Sequence, residues 1–156
     1  DFIEKYFATY PGVMDYLVDT LTLCREQGYV TTLFNRRRAI DGVRPVPPGL
    51  REKSGILRYL NVPERTAVNA VIQGTAADLI KVAMIRIQDR LRAENLPGRM
   101  LLQIHDELLF ETPPEAAAEL ATLVRQEMST VAELAVPLKV DVKIGPNWAA
   151  CEAWEE

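Results

Sequence analysis

Little in this sequence invites a framework built on covalent cross-links or metal. Only two cysteines occur in 156 residues, Cys24 and Cys151, far apart and without partners at metal-ligating spacing. A disulfide scaffold and a zinc site are thereby excluded as organising principles, and a reducing cytoplasm is the expected compartment. Uninterrupted apolar runs are short. None approaches the roughly 18 residues that a membrane span requires, and no basic-then-apolar leader opens the chain, so a soluble protein without a membrane partner is expected. There is no internal repeat and no low-complexity tract. What remains is the composition of a folded domain: 48% of residues are apolar and 26% charged, enough for one ordinary core and too much for disorder.

The net charge of −4 argues on its face against a polyanionic partner. The distribution argues the other way. Between Arg36 and Arg65 stand Arg36, Arg37, Arg38, Arg44, Arg51, Lys53, Arg58 and Arg65, against Asp41, Glu52 and Glu64, so this stretch carries +5 and the remainder −9. Such asymmetry points to a partner rich in negative charge, although a solvated basic face is the commoner reason for it.

Residues 1–9 read as an apolar-faced helix (Phe2, Ile3, Tyr6, Phe7) whose beginning lies outside the sequence. Pro11 suits a first helical position, Val13, Leu17, Leu21 and Cys24 follow at helical spacing, and Gly28 offers a C-terminal cap. Tyr29–Leu33 and Arg37–Ile40 suit two short strands. From Asp41 to Val62 repeated proline and glycine predict a long loop, with at most a helical turn or two near Ile56–Leu60. Asn61-Val62-Pro63-Glu64 has the form of a capped start for a helix that runs to about Glu94. Gly74, inside that helix, predicts a bend or break near Gln73–Thr75. Met100–Ile104 and Glu107–Glu111 are strand-like, Thr112-Pro113-Pro114-Glu115 opens a further helix to about Val131, and residues 137–144 alternate as a half-buried strand. The layout is α+β with an antiparallel sheet and packed helices.

Two constellations carry chemistry. Strands joined this tightly usually take Asn-Gly or Asp-Gly at the turn, whereas here the turn is His105-Asp106-Glu107. Three ionisable side chains where a glycine belongs are either a charged, solvent-washed tip or carboxylates held for a hard cation such as Mg²⁺. The second constellation is Arg65, Asn69 and Gln73. Steps of four place them on one helical stripe about 80° wide. Every base pair offers the same minor-groove acceptors, purine N3 and pyrimidine O2, so a stripe of donors can grip any paired duplex without reading its sequence. An ordinary polar helix face has the same pattern.

The run from Glu64 to Lys81, Glu-Arg-Thr-Ala-Val-Asn-Ala-Val-Ile-Gln-Gly-Thr-Ala-Ala-Asp-Leu-Ile-Lys, followed by Gln103-Ile104-His105-Asp106-Glu107, resembles the C-terminal part of the A-family (bacterial DNA polymerase I) DNA polymerases. Gly28-Tyr29-Val30-Thr31-Thr32-Leu33-Phe34-Asn35-Arg36-Arg37-Arg38, and Leu138–Val142 followed by Asn147-Trp148, resemble the same family. The resemblance implies a partial right-hand polymerase fold, with residues 1–27 as late fingers helices, 28–156 as the rest of the fingers and the palm, and an insertion near 42–60. It implies that Asp106 binds the catalytic Mg²⁺ pair (Mn²⁺ can substitute), with Glu107 as its weaker acidic neighbour. His105 is then the contact to the primer end, and Arg65, Asn69 and Gln73 line the minor groove of newly made pairs. Arg36, Arg37 and Arg38 face the nucleic acid backbone. The implied partners are primer-template DNA and deoxynucleoside triphosphates, and the implied reaction is two-metal, in-line phosphoryl transfer.

Two of the family's motifs have no counterpart here. One is the string Asp-x-Ser-x-Ile-Glu-Leu-Arg, which supplies the other metal aspartate. The other is the fingers helix that holds the triphosphate with an Arg, a Lys and a Tyr-Gly pair; Arg51, Lys53 and Tyr59 are spaced too closely for it, and no glycine follows Tyr59. Both lie upstream in the family, so the expectation is a C-terminal fragment, inert alone and dependent on the upstream part. Two rivals stand beside it: a non-catalytic duplex-binding module, and a metal-dependent phosphodiesterase using Asp106 and Glu107. The lack of a further His or Cys ligand set weakens the second.

Overall fold

The computed structural model describes residues 2–46 and 60–154. Helix α1 (Phe2–Thr9) buries Phe7, while Phe2, at the start of the expected apolar face, is 81% exposed. Helix α2 (Pro11–Gln27) begins with Pro11 and buries Met14, Leu17, Val18, Leu21 and Cys24. It ends as expected: Gly28 adopts φ +77° and its N–H donates to the Cys24 carbonyl at 2.8 Å, the left-handed cap that glycine makes without strain. Burial pushes the Cys24 thiol up, as suits a core cysteine. Strands β1 (Tyr29–Thr31) and β2 (Arg37–Ala39) pair antiparallel, Tyr29 opposite Ala39 and Thr31 opposite Arg37.

Helix α3 (Val62–Ala93) is the longest element, 32 residues. Its start is a reciprocal cap: the Glu64 N–H donates to Asn61 Oδ1 at 2.9 Å and the Asn61 N–H to Glu64 Oε2 at 2.8 Å, so two donors that a helix start leaves unpaired are satisfied. Its end is set by Asn95 (φ +51°) rather than by the Pro97-Gly98 pair. The Leu96 N–H reaches back to the Leu91 carbonyl and the Asn95 N–H to that of Arg92, and Leu91 and Leu96 are buried in the same cluster. That is a Schellman closure with its hydrophobic contact. The break expected at Gly74 is not there; helical hydrogen bonding runs through it, and the glycine serves a different purpose, described below. Within α3 an 18-residue window has mean hydropathy 1.3, so by length and composition alone this helix could cross a membrane, contrary to the expectation from uninterrupted runs. Core packing uses part of that apolarity: 28% of the window is buried, Ala67, Val68 and Ala70 belong to one buried cluster and Ala83, Ile87 and Leu91 to another, while Ile72 and Ile85 are exposed.

Strands β3 (Arg99–Ile104) and β4 (Glu107–Glu111) form a hairpin, Ile104 opposite Glu107, with a bulge between Met100 and Leu102. One face of it packs: Met100, Leu108 and Phe110 lie against the second cluster, whereas Leu101 and Leu102 are exposed. The hairpin is therefore half-buried. A short 3₁₀ turn (Pro114–Ala116) leads into α4 (Ala117–Ser129), which buries Leu120, Ala121, Leu123 and Val124. Arg90 ties α3 to α4, pairing with Glu94 at 2.8 Å and with Glu127 at 3.0 Å.

The strand expected over 137–144 shrinks to β5 (Lys143–Ile144), paired with β6 (Glu152–Ala153), and the Trp154 N–H adds a bond to the Val142 carbonyl. Alternation alone does not make a strand; Leu138 packs on the second cluster, but no ladder partner stands opposite it among the described residues. The α+β class and its antiparallel pairing hold, with the described strands distributed over three two-stranded ladders. The chain divides into two compact units, Asp1–Thr75 and Ala76–Glu156, each with one of the two buried clusters. The residues of the expected insertion near 42–60 lie mostly outside the described ones, as do Arg51, Lys53 and Tyr59.

Candidate active site

The expected site residues fall in two sets, one in each unit. In the second unit, pairing of Ile104 with Glu107 leaves His105 and Asp106 as a two-residue loop. A positive φ at the first loop position is what the favoured hairpin turns demand, and glycine is its usual provider. Here His105 takes it, at φ +54°. The Gln103 side chain donates from Nε2 to the His105 carbonyl at 2.9 Å, bracing the turn from the strand before it. His105, Asp106 and Glu107 are all exposed. Two adjacent carboxylates therefore stand at the tip of a hairpin whose other end is anchored in the core.

The fit to a metal ion is partial. Hard cations take six or more oxygen ligands, and among the described residues no group of three or more His, Cys, Asp or Glu side chains is gathered for one. Asp106 and Glu107 have the right donor chemistry for Mg²⁺. They supply part of a site.

In the first unit, Arg65, Asn69 and Gln73 are exposed along uninterrupted α3, while Ala67, Val68 and Ala70 on its other side are buried. The donor stripe thus faces outward. Arg65 Nε donates to the Leu60 carbonyl at 3.0 Å. The stripe's N-terminal end is fixed by Glu64, whose buried carboxylate takes Arg44 Nε at 2.8 Å and Nη2 at 2.9 Å besides closing the cap. Hydrogen bonds from Arg44 hold the Glu64 carboxyl below the usual range; burial opposes this, and the backbone N–H groups of Asn61 and Arg44 reinforce it.

Arg36, Arg37 and Arg38 are exposed on the β1–β2 hairpin, but they do not act alike. The Arg37 guanidinium lies over the Tyr29 ring, 4.9 Å from its centre. Arg36 turns to α3 and donates from Nη2 to the Gly74 carbonyl at 3.1 Å. Sequence reasoning gave no role to Gln103, Thr32 or Thr75, and read Gly74 as a weak point. An interior helical glycine also signals close approach of another segment, and that was the available clue.

The profile of DNA polymerase family A matches residues 1–150. The chain belongs to that family. It is 47% identical over 147 residues to a DNA polymerase I of Deinococcus radiodurans, covering 94% of this chain and 14% of that protein. It is 45% identical over 148 residues to the DNA polymerase I of Geobacillus stearothermophilus, covering 95% and 16%. A solved family member, the POL domain of Pol1 from M. smegmatis in complex with a DNA primer-template and dNTP, superposes with a TM-score of 0.73 at 42% identity. That match covers 87% of this chain and 22% of the solved one. The chain therefore spans about one sixth of the length of such curated relatives. Family A membership implies dependence on divalent metal in general, and the matched residues include every candidate named above.

Proposed function

We propose that this chain is the part of a template-dependent DNA polymerase that carries the metal-binding hairpin of the palm and the helix that grips the minor groove. In the complete enzyme deoxynucleotides are added to a primer 3′ end, with primer-template DNA and deoxynucleoside triphosphates as partners, in the cytoplasm. One observation carries the reading: in a chain matched along its length by family A, a two-residue loop pairs a positive φ at His105 with two exposed carboxylates, Asp106 and Glu107.

Residues 1–27 are assigned to the fingers and 28–156 to the remainder of the fingers and the palm. Asp106, with Glu107 as the weaker partner, holds Mg²⁺ together with ligands from the upstream part of the polymerase. The bound ion supplies charge neutralisation at the reacting oxygens. His105 contacts the primer end from the top of the turn. Arg65, Asn69 and Gln73 donate to acceptors that all correct pairs share, and Arg37 and Arg38 supply positive charge toward the backbone. The stripe lies on a helix, which holds side chains more firmly than a loop does, and the two-residue turn is braced by the Gln103 side chain. Alone, with part of the metal site elsewhere, this chain is inactive.

The test is single-nucleotide extension by the complete polymerase carrying Gln73→Ala. Loss of one shared minor-groove hydrogen bond slows extension roughly fivefold, equally for all four templating bases, and alters discrimination against mismatched primer ends. A rate that changes for only one templating base, or for none, contradicts the assignment.

A further inference from the structure

The β1–β2 loop holds α3 at three points, all within one turn of the helix. The Leu33 N–H donates to Thr75 Oγ1 at 3.0 Å. Arg36 Nη2 donates to the Gly74 carbonyl at 3.1 Å. The Thr32 methyl lies so close to Gly74 that a Cβ there would stand 2.8 Å from it, and 3.2 Å from Arg36 Nη2. The loop is itself stiff. Thr32 is buried, its Oγ1 accepts from the Arg36 N–H at 3.2 Å, its carbonyl accepts from Asn35 and its N–H donates to the Arg36 carbonyl. Asn35 completes the bend at φ +60°.

A carbonyl inside a helix already accepts from the N–H four residues on, and its second lone pair is usually screened by side chains. Gly74 has no side chain to screen it, so a guanidinium can reach it. Gln73 immediately precedes the clamped carbonyl and is last in the series Arg65, Asn69, Gln73.

We propose that Arg36 is a positioning residue: by clamping the Gly74 carbonyl it fixes the rotation of α3 and so aims Gln73 at the minor groove, instead of binding a phosphate as its basic neighbours do. This rests on the polymerase reading above. The geometry makes small errors costly. A helical side chain ends about 6 Å from the axis, so a rotation of roughly 10° moves the Gln73 amide by about 1 Å, enough to lose a hydrogen bond. The clamp also gives glycine a reason to stand at an interior position where alanine is the better helix former.

Direct phosphate binding and indirect positioning differ in two readouts. In the complete polymerase, Arg36→Met is expected to slow matched-end extension roughly fivefold, as Gln73→Ala does. Combined with Gln73→Ala it should add no further loss, because both changes remove the same contact. Its primer-template affinity should keep the wild-type salt slope, whereas losing a phosphate contact flattens that slope by about 0.9. Arg36→Lys, which keeps the charge but not the reach and fork of the guanidinium, should behave like Arg36→Met. A flattened slope rescued by Arg36→Lys, or additive losses in the double variant, overturns the proposal. Amide exchange at residues 74–78 reads the clamp without activity: it should quicken several-fold in Arg36→Met and stay unchanged in Arg37→Met. Unchanged exchange in both refutes the clamp even if the wild-type enzyme extends primers. Quickened exchange in an enzyme that extends nothing refutes the polymerase reading instead, and with it the role given to Gln73.

Discussion

Glu64 and Arg44 form a two-pronged ion pair, with Arg44 Nε and Nη2 at 2.8 and 2.9 Å from the two oxygens of a buried carboxylate. The same carboxylate closes the N-terminal cap of α3. The helix that presents Arg65, Asn69 and Gln73 is thus started, and joined to the chain before it, by one acid.

That acid makes the fold pH-dependent in a defined direction. The folded carboxyl of Glu64 sits below its ordinary value, chiefly through the Arg44 hydrogen bonds. Its contribution is therefore fully present above the unfolded carboxylate range and is lost as pH falls through the lower folded value. Urea midpoints measured between about pH 6 and pH 3 should fall on acidification, and Glu64→Gln should flatten that fall while lowering stability at neutral pH. An equally steep acid limb in the variant would show that Glu64 does not set the acid dependence.

Gly74→Ala reverses the usual rule. In a free helix the change gains about 1 kcal/mol. Here the new methyl meets the Thr32 side chain, which is buried and hydrogen-bonded to Arg36, and overpacking of that kind costs about 1–3 kcal/mol. Chemical denaturation should show a net loss or no gain, and Thr32→Ser, which removes the methyl but keeps the hydroxyl, should restore the gain. A plain stabilisation by Gly74→Ala would mean that the loop is not seated on the helix.

The β3–β4 turn separates backbone demand from chemistry. His105→Gly relieves the positive φ and should leave stability unchanged or slightly raised, while abolishing the contact proposed to the primer end. His105→Val, β-branched and disfavoured at positive φ, should cost about 1–2 kcal/mol. Thermal unfolding of the two variants distinguishes them; equal stability would show that the turn tolerates any backbone.

Because no third His, Cys, Asp or Glu gathers with Asp106 and Glu107 among the described residues, this chain alone should bind Mn²⁺ weakly. Paramagnetic broadening at the Asp106 and Glu107 amides should require roughly millimolar Mn²⁺ and disappear in Asp106→Asn. Sub-micromolar binding would mean that further ligands come from within the 156 residues.

Much of the first unit was legible because its signals are local. Pro11 and Gly28 bound α2, and Asn61 and Glu64 start α3, through bonds that reach no further than four residues. The tip of the hairpin was legible for the opposite reason: His105-Asp106 is the wrong chemistry for a turn, and the structure makes His105 bear the cost. What sequence could not supply is non-local. Gly74 looks like a flaw in a helix from sequence alone because its partners, Thr32 and Arg36, lie some forty residues earlier. The alternation over 137–144 suggests a longer strand than the structure has, because a pattern of side chains says nothing of whether a neighbouring strand is there to complete the ladder. The three arginines looked equivalent in a row, and only contacts with Gly74 and Tyr29 separate Arg36 and Arg37 from a simple basic patch.

Asp106 is proposed above as a metal-binding carboxylate of a polymerase active site. That role is tested most directly by single-turnover nucleotide incorporation in the complete enzyme carrying Asp106→Ala, with primer-template affinity measured on the same preparation. Incorporation should fall roughly a hundred- to a thousandfold, as when a preorganised charge-stabilising group is removed, with affinity for primer-template held within a few-fold of wild type. Incorporation at the wild-type rate with affinity intact would contradict it.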